Sequence, residues 1–418
     1  MTFDVMNRWL VSLMLLLFPM TVVVIDGVSG IVFLLTFVLG LIYMVKGMKQ
    51  GRLIRDRREI WLFVSLVLMF ITALTTSYVT ATDLAYGDRF LIFVVGGVIY
   101  LAIRDLRPDP IWVWMGLTGG ALLSMGVAMY QVYGPTLQPR ATGAVHPILF
   151  GDLSLAMGMM ALAVLVGIGR RHKLLAMLVI FAAFGGLLAS ILSKSRGGWV
   201  AIPPVALLFA WGLSKYLPIR KILLSLAILG VILVAAYQTP VTGLKSRVDT
   251  TIGNITRYLE SGDVRDRTRG TSIGSRFEMW KSAWSMFRES PLLGGGWGEF
   301  RDYTRKLIKQ GEISPAVGRY SHAHNEYLST LAKGGLLGFS ALMALFLVPG
   351  WIFLQLFRRN SDESLRSFAL AGLVLILAYM SFALSEAIFE RSRPVLFFTF
   401  YLAVLMAQAI RTEPKKAL

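Results

Sequence analysis

The chain has 418 residues, of which 56% are hydrophobic and only 16% charged, and its mean hydropathy is +0.64. Soluble globular chains average roughly 45–50% apolar and about 25% charged residues, so a water-soluble enzyme, a DNA-binding domain and a disordered scaffold are excluded and an integral membrane protein is expected. The formal charge of +18 then reflects basic loops on one side of a membrane and anionic ligands rather than nucleic acid, while the absence of cysteine removes disulfides, thiol catalysis and thiolate metal sites.

Crossing a bilayer core takes about 20 mostly apolar residues in a helix. Twelve runs meet that need: about 9–25, 28–45, 60–79, 90–103, 111–133, 148–168, 174–192, 197–214, 222–237, 335–357, 367–385 and 394–410. The pattern predicts an all-α polytopic integral membrane protein with about twelve transmembrane helices. No small-residue cleavage site follows the first run, which is therefore expected to be retained.

Lysine and arginine predict the orientation. With the N-terminus cytoplasmic, the inner loops carry Lys46, Lys49, Arg52, Arg55, Arg57 and Arg58, then Arg104 and Arg107, then Arg170, Arg171 and Lys173. Lys215, Arg220 and Lys221 follow, then Arg358, Arg359 and Arg366, and finally Arg411, Lys415 and Lys416. The short outer loops hold far fewer: Arg89, Arg140, Lys194, Arg196, Arg391 and Arg393. Both termini are expected in the cytoplasm. Residues 1–237 form the first nine spans, 238–327 a large outer loop, and 328–418 the last three spans and a cytoplasmic tail.

A loop of this length is usually functional. Ser275-Arg276-Phe277-Glu278 fits a capping box with Ser275 as N-cap, which would set Arg276 in the first turn of a helix, where the dipole favours anions. Phe277, Trp280, Trp284 and Phe287 make an apolar stripe expected to pack on the transmembrane bundle. Pro291 ends that helix, and Leu292-Leu293-Gly294-Gly295-Gly296 follows as a tight turn. From Glu299 to Lys309, Phe300, Tyr303 and Leu307 face one way and Arg301, Arg305, Lys306 and Lys309 the others; this is either an interfacial helix that meets acidic headgroups or a helix with one solvated face. Asn325 is expected to cap a further helix, placing His324 just before its N-terminus. His322 and His324, two of the four histidines, invite a metal reading, but no dense acidic cluster accompanies them and no metal or other cofactor is expected.

Between spans seven and eight, Ser193-Lys194-Ser195-Arg196-Gly197-Gly198 sets two cations in a very short outer loop. One reading is snorkelling to lipid phosphate. The other is that Arg196 and Arg276 converge on a buried anion such as a pyrophosphate, since a guanidinium binds phosphate oxygens bidentately and keeps its charge when desolvated. Beside such an anion, an uncharged His324 suits glycosyl transfer from a polyprenyl diphosphate. The leaving phosphates are weak bases, so the remaining tasks are stabilising their growing charge and taking a proton from the acceptor hydroxyl.

His324-Asn325, nine residues and then Gly335-Leu336-Leu337-Gly338 resembles the signature of the bacterial O-antigen ligase family, and Arg276…Trp280…Ala283…Pro291-Leu292-Leu293-Gly294-Gly295-Gly296 looks like that family's large periplasmic loop. The resemblance implies a GT-C-like glycosyltransferase in the bacterial inner membrane. It would move a glycan from undecaprenyl diphosphate to an acceptor at the periplasmic face, with inversion and without metal. It also implies His324 as catalytic base and Arg276 and Arg196 on the donor pyrophosphate; Lys194, the other cation of that short outer loop, is expected alongside. Arg140 in Arg140-Ala-Thr-Gly-Ala-Val-His146-Pro147 is a weaker match, and Glu386, Glu390 and Arg391 in the last outer loop could border the same cavity. His322 departs from the pattern. A ligase acting on lipid A–core ranks first, ahead of an O-antigen polymerase or a protein O-oligosaccharyltransferase. A transporter of anionic glycolipid is the reading from another class, and the internal repeats common in transporters are not visible.

Overall fold

Inside hydrocarbon each backbone N–H and C=O must find its partner within the chain, so long apolar runs have to fold as helices. The computed structural model describes residues 2–135, 137–168, 172–214, 218–239, 244–260 and 271–411. Among them every predicted span coincides with a helix. In order these are α1 (Phe3–Thr21), α2 (Val28–Lys49), α3 (Arg57–Val79), α4 (Asp88–Leu106), α5 (Ile111–Tyr133), α6 (Pro147–Ala161), α7 (Leu165–Ile168), α8 (Lys173–Leu192), α9 (Ile202–Leu213) and α10 (Ile219–Gln238). The loop helices α11 (Leu244–Glu260), α12 (Ser272–Glu289) and α13 (Phe300–Lys309) follow, then α14 (Glu326–Arg359), α15 (Glu363–Phe382) and α16 (Ser392–Ala409). No strand occurs among the described residues.

Nine of these helices are long and apolar enough to cross a membrane, with α6 and α7 counting as one span. The other three predicted runs coincide with α4, which carries charge at both ends, with the helical stretch Gly197–Leu213, and with α10. Arg170, Arg171, Lys215, Lys415 and Lys416, expected on the inner side, and residues 240–243 and 261–270 of the long loop lie outside the described residues.

Packing separates a core from a rim. Pro147–Gly167, α15 and α16 are 83% buried over their apolar windows, whereas the other six candidate spans reach only 33–50%, so the first three form the centre and the rest keep a lipid-facing side. Tyr379 of α15 packs on Phe397 and Phe398 of α16 with ring centroids 6.4 and 4.9 Å apart. Helices without a hydrophobic drive to associate in lipid depend on close backbone approach. At Gly186 of α8 a Cβ would lie 2.4 Å from the Ser154 carbonyl of α6.

The long loop departs from two sequence expectations. The N-cap of α12 is Thr271, whose hydroxyl accepts from Gly274 N at 3.2 Å, and Ser275 lies one turn inside the helix, donating to Thr271 O. Arg276 is therefore beyond the first turn. Glu278 does not reach back to a cap. It is fully buried, and it accepts from Tyr258 OH at 2.7 Å and from Ser314 N at 2.8 Å. A carboxylate that can tie three loop segments together gains more contacts than one capping bond offers.

The aromatic stripe of α12 is also not its main buried face. Met279, Ala283 and Met286 are buried against Phe300 and Leu307 of α13 and against Ile313 and Val317, while Trp284 is 51% exposed. Small and flexible side chains fit the narrow space between helices, which leaves the bulkier rings along its edge. The buried side of α13 is thus committed to this small loop core, and Arg301, Arg305, Lys306 and Lys309 are exposed on the other side.

The loop is welded to the bundle at a break in α14. Gly335 has φ +60, which interrupts the helix and frees backbone groups on either side. The Pro291–Gly296 turn fills the gap. Gly295 N donates to Ala332 O at 2.8 Å and Gly296 N to Lys333 O at 3.0 Å, while Leu336 N and Leu337 N donate to Pro291 O and Leu292 O. A Cβ at Gly335 would meet Leu292 O at 2.4 Å, and one at Gly294 would meet the Lys333 backbone at 2.4 Å. The two glycine motifs singled out in the sequence are halves of one joint.

Candidate active site

His324 lies where the long loop re-enters the bundle. Asn325 caps α14 as expected, accepting from Leu328 N at 2.9 Å. Three bonds fasten this helix start to the end of α15 and the segment after it: Asn325 Nδ2 donates to Leu384 O at 3.0 Å, Glu326 N to Ala383 O at 2.8 Å, and Tyr327 OH to Met380 O at 2.8 Å. The buried Glu326 carboxylate accepts from Phe389 N at 2.9 Å. Residues 380–389 are thereby held against 325–327, which brings Glu386 opposite His324. On the other side the Trp280 indole donates to Ala323 O at 3.0 Å. Between these anchors His324 has φ +47, a left-handed conformation that a residue with a Cβ keeps only when its surroundings impose it.

Glu386 is buried, and its Oε2 lies 2.9 Å from His324 Nδ1, while its Oε1 lies 4.0 Å from His322 Nε2. Burial pushes the Glu386 carboxyl up, but the His324 hydrogen bond and the positive groups around it, Arg276 among them, hold it below the ordinary carboxylate value. An ionised Glu386 takes a hydrogen bond from Nδ1–H of His324, so in the neutral form of that imidazole the lone pair lies on Nε2. That is the arrangement of an oriented general base. His322 is buried, and burial followed by the neighbouring His324 lowers its pKa to about 4. The rings of His322 and His324 stand 4.5 Å apart, centroid to centroid.

A cavity of about 270 Å³ opens over this cluster, lined by His146, Arg319, Tyr320, His322, His324, Glu386 and Arg391 among others. Partial burial, and then the charges of Arg391 and Arg140, lower the pKa of His146. The residues singled out from the sequence reach this site unequally. His324 and Arg391 line the cavity. Arg276 acts on Glu386 from nearby, and its own pKa is lowered by burial against the pull of Glu386. Arg196 precedes Gly197, where a Cβ would meet Ser385 Oγ at 2.4 Å, so that turn abuts the residue before Glu386. Arg140 is half-buried and within electrostatic range of His146. Lys194 is exposed at a left-handed turn, φ +57, and is not among the residues lining the cavity.

The same cluster offers a metal its donors. Ligand atoms of His322, His324 and Glu386 lie within 4.8 Å of one another, two imidazole nitrogens and one carboxylate, a set Zn²⁺ accepts. The sequence singles out the two imidazoles and, in the last outer loop, Glu386, but not their pairing, because Glu386 is 62 residues from His324.

Sequence reasoning also passed over a second cluster. Lys333, almost wholly buried, donates to Glu390 Oε1 at 2.6 Å, and Arg89 pairs with the other Glu390 oxygen. Burial raises the pKa of Glu390, but Lys333 and Arg89 overcome it and bring it down to about 2. The signal was present: a lysine inside an apolar run demands a partner.

An uncharacterized protein of Haemophilus influenzae is 22% identical over 390 residues, covering 93% of this chain and 95% of its own length. Residues 181–343 match the family described as O-Antigen ligase. That stretch carries Arg196, Arg276, His322, His324, Lys333 and the jointed glycines, and so this multi-pass membrane protein contains an O-antigen ligase family domain.

Proposed function

We propose that the protein is a metal-independent, inverting glycosyltransferase of the bacterial inner membrane. It would join O-antigen glycan, carried on undecaprenyl diphosphate, to lipid A–core at the periplasmic face, with both termini cytoplasmic. The reading rests most on one observation: the 2.9 Å contact of His324 Nδ1 with a buried Glu386 on which Arg276 also acts, His324 and Arg276 both lying within the matched segment. His324 Nε2 takes the proton from the acceptor hydroxyl as that oxygen attacks the anomeric carbon. The bond from this carbon to the diphosphate oxygen breaks, and its electron pair leaves with the diphosphate. Arg276 and Arg196, with Arg391 in the cavity wall and Arg140 and Lys194 further out, stabilise the charge that develops there. Glu386 fixes the imidazole's tautomer and balances the imidazolium formed in the step. An O-antigen polymerase would use the same groups with a carrier-bound glycan as acceptor.

The test is reconstitution. Purified protein in liposomes, given lipid-linked glycan and lipid A–core in EDTA without nucleotide, is expected to yield a glycan-bearing lipid A–core, read as a gel shift. Elongation of the carrier-bound glycan alone would assign the polymerase. Movement of labelled glycolipid between leaflets with no covalent product would reject transfer in favour of transport. Activity lost in EDTA and restored by Zn²⁺ would turn His322, His324 and Glu386 into a metal centre.

A further inference from the structure

The second cluster opens into a cavity of about 400 Å³, the size of a small-ligand site. Four cations line it, Arg89, Arg301, Arg305 and Lys333, against two carboxylates, Asp302 and Glu390. Glu390 is already taken by Lys333 and Arg89. Asp302 pairs with Arg305 at 3.3 Å where both side chains are more than half exposed, a contact worth little in water. The wall therefore keeps an excess of positive charge. Arg301 and Arg305 lie on the exposed side of α13, whose other side is fixed in the loop core.

The cavity is also next to the chemistry. Ser321 lines both it and the cavity over His324, and the charges of Glu390 and Lys333 act on His322. The two cavities thus flank one short segment, 321–324. On the His324 side, Arg276 acts on Glu386 and is the group assigned above to the leaving diphosphate. A separate group of cations across that segment suits an anion carried by the other substrate.

We infer that the Arg301–Arg305 cavity holds a phosphate group on the acceptor glycan, and that it sets which acceptors the enzyme accepts. This rests on the glycosyl-transfer reading above. A guanidinium fork meets phosphate oxygens two at a time, so two arginines one helical turn apart can clamp a phosphorylated sugar while Lys333 and Arg89 supply field from the cavity wall. The acceptor would be anchored by its phosphate on one side of residues 321–324, with its free hydroxyl reaching His324 on the other.

The experiment compares wild type with the double variant Arg301→Ser and Arg305→Ser in the reconstituted assay, using phosphorylated lipid A–core and the same acceptor freed of core phosphate. Both positions are exposed and outside the loop core, so the variant is expected to fold. The double variant should raise KM for the phosphorylated acceptor roughly tenfold, as loss of a charge-assisted contact does, with kcat and the donor KM nearly unchanged. It should also stop distinguishing the two acceptors, and Arg301→Lys with Arg305→Lys should recover part of the difference. An unchanged acceptor KM, or a rise in the donor KM instead, overturns the inference while leaving transfer intact. Absence of product from the wild type would overturn the functional reading and this inference with it.

Discussion

Glu386 and Glu390 are one helical turn apart in sequence, both carboxylates are mostly shielded from water, and they serve different partners. Glu386 faces an imidazole, a group that can give up and regain a proton. Glu390 faces an ammonium and a guanidinium. The lesson is that a buried carboxylate takes its role from what it meets: beside His324 it orients a base, and beside Lys333 and Arg89 it neutralises charge at the joint between loop and bundle. Two cavities follow from that difference, one built around a proton acceptor and one around fixed positive charge.

The comparison breaks most visibly at Glu386. Glu386→Gln keeps the shape but removes the charge that holds the His324 tautomer, so kcat should fall by about 10²-fold or more, with expression and Tm close to wild type. Glu390→Gln should do the opposite. It leaves Lys333 buried without its closest countercharge, which costs about 3–5 kcal/mol of stability. The loss is to be read in detergent melting, and Lys333→Met in the same chain should restore much of it. A variant pair with these effects exchanged would mean that the two carboxylates have been assigned the wrong way round.

Gly335→Ala sharpens the role of the joint. A Cβ there meets Leu292 O at 2.4 Å and φ is +60, so the change should cost about 1–3 kcal/mol and expose the 291–296 turn to protease. The smallest effect is on pH. His322 has a folded pKa of about 4 against an ordinary 6.5. Between those values the unfolded chain binds a proton that the folded chain refuses, so stability falls as pH drops from about 6.5 toward 4. Glu386 and Glu390, held below the ordinary value of 4.5, lose their contribution only at lower pH. Tm should therefore decline from pH 7 to 5, and His322→Gln should flatten that decline.

Much of the fold was legible because a membrane leaves few choices. Each apolar run had to be a helix, and each one is. Asn325 was legible as a cap because its own side chain makes the bond. Ser275 was not, because Thr271 four residues earlier competes for the same role and Glu278 finds partners as distant as Tyr258 and Ser314. The aromatic stripe misled for a related reason: periodicity finds an apolar face, but the narrow gap between α12 and α13 selects Met279, Ala283 and Met286 by shape. In the site, His324, Arg196 and Arg276 stood out as charges or imidazoles in unusual places. The pairing of His324 with Glu386 depends on bonds from Asn325, Glu326 and Tyr327 to residues 380–384, and no local pattern announces a contact made across such a distance.

The central claim, that His324 and not its neighbour takes the acceptor's proton, is tested most directly by measuring kcat for His324→Ala and His322→Ala side by side in the reconstituted assay. The account predicts a loss of about 10²–10⁴-fold for His324→Ala and only a few-fold for His322→Ala, both chains being recovered in the membrane at wild-type yield. Near-wild-type turnover by His324→Ala, or a larger loss for His322→Ala, would contradict it.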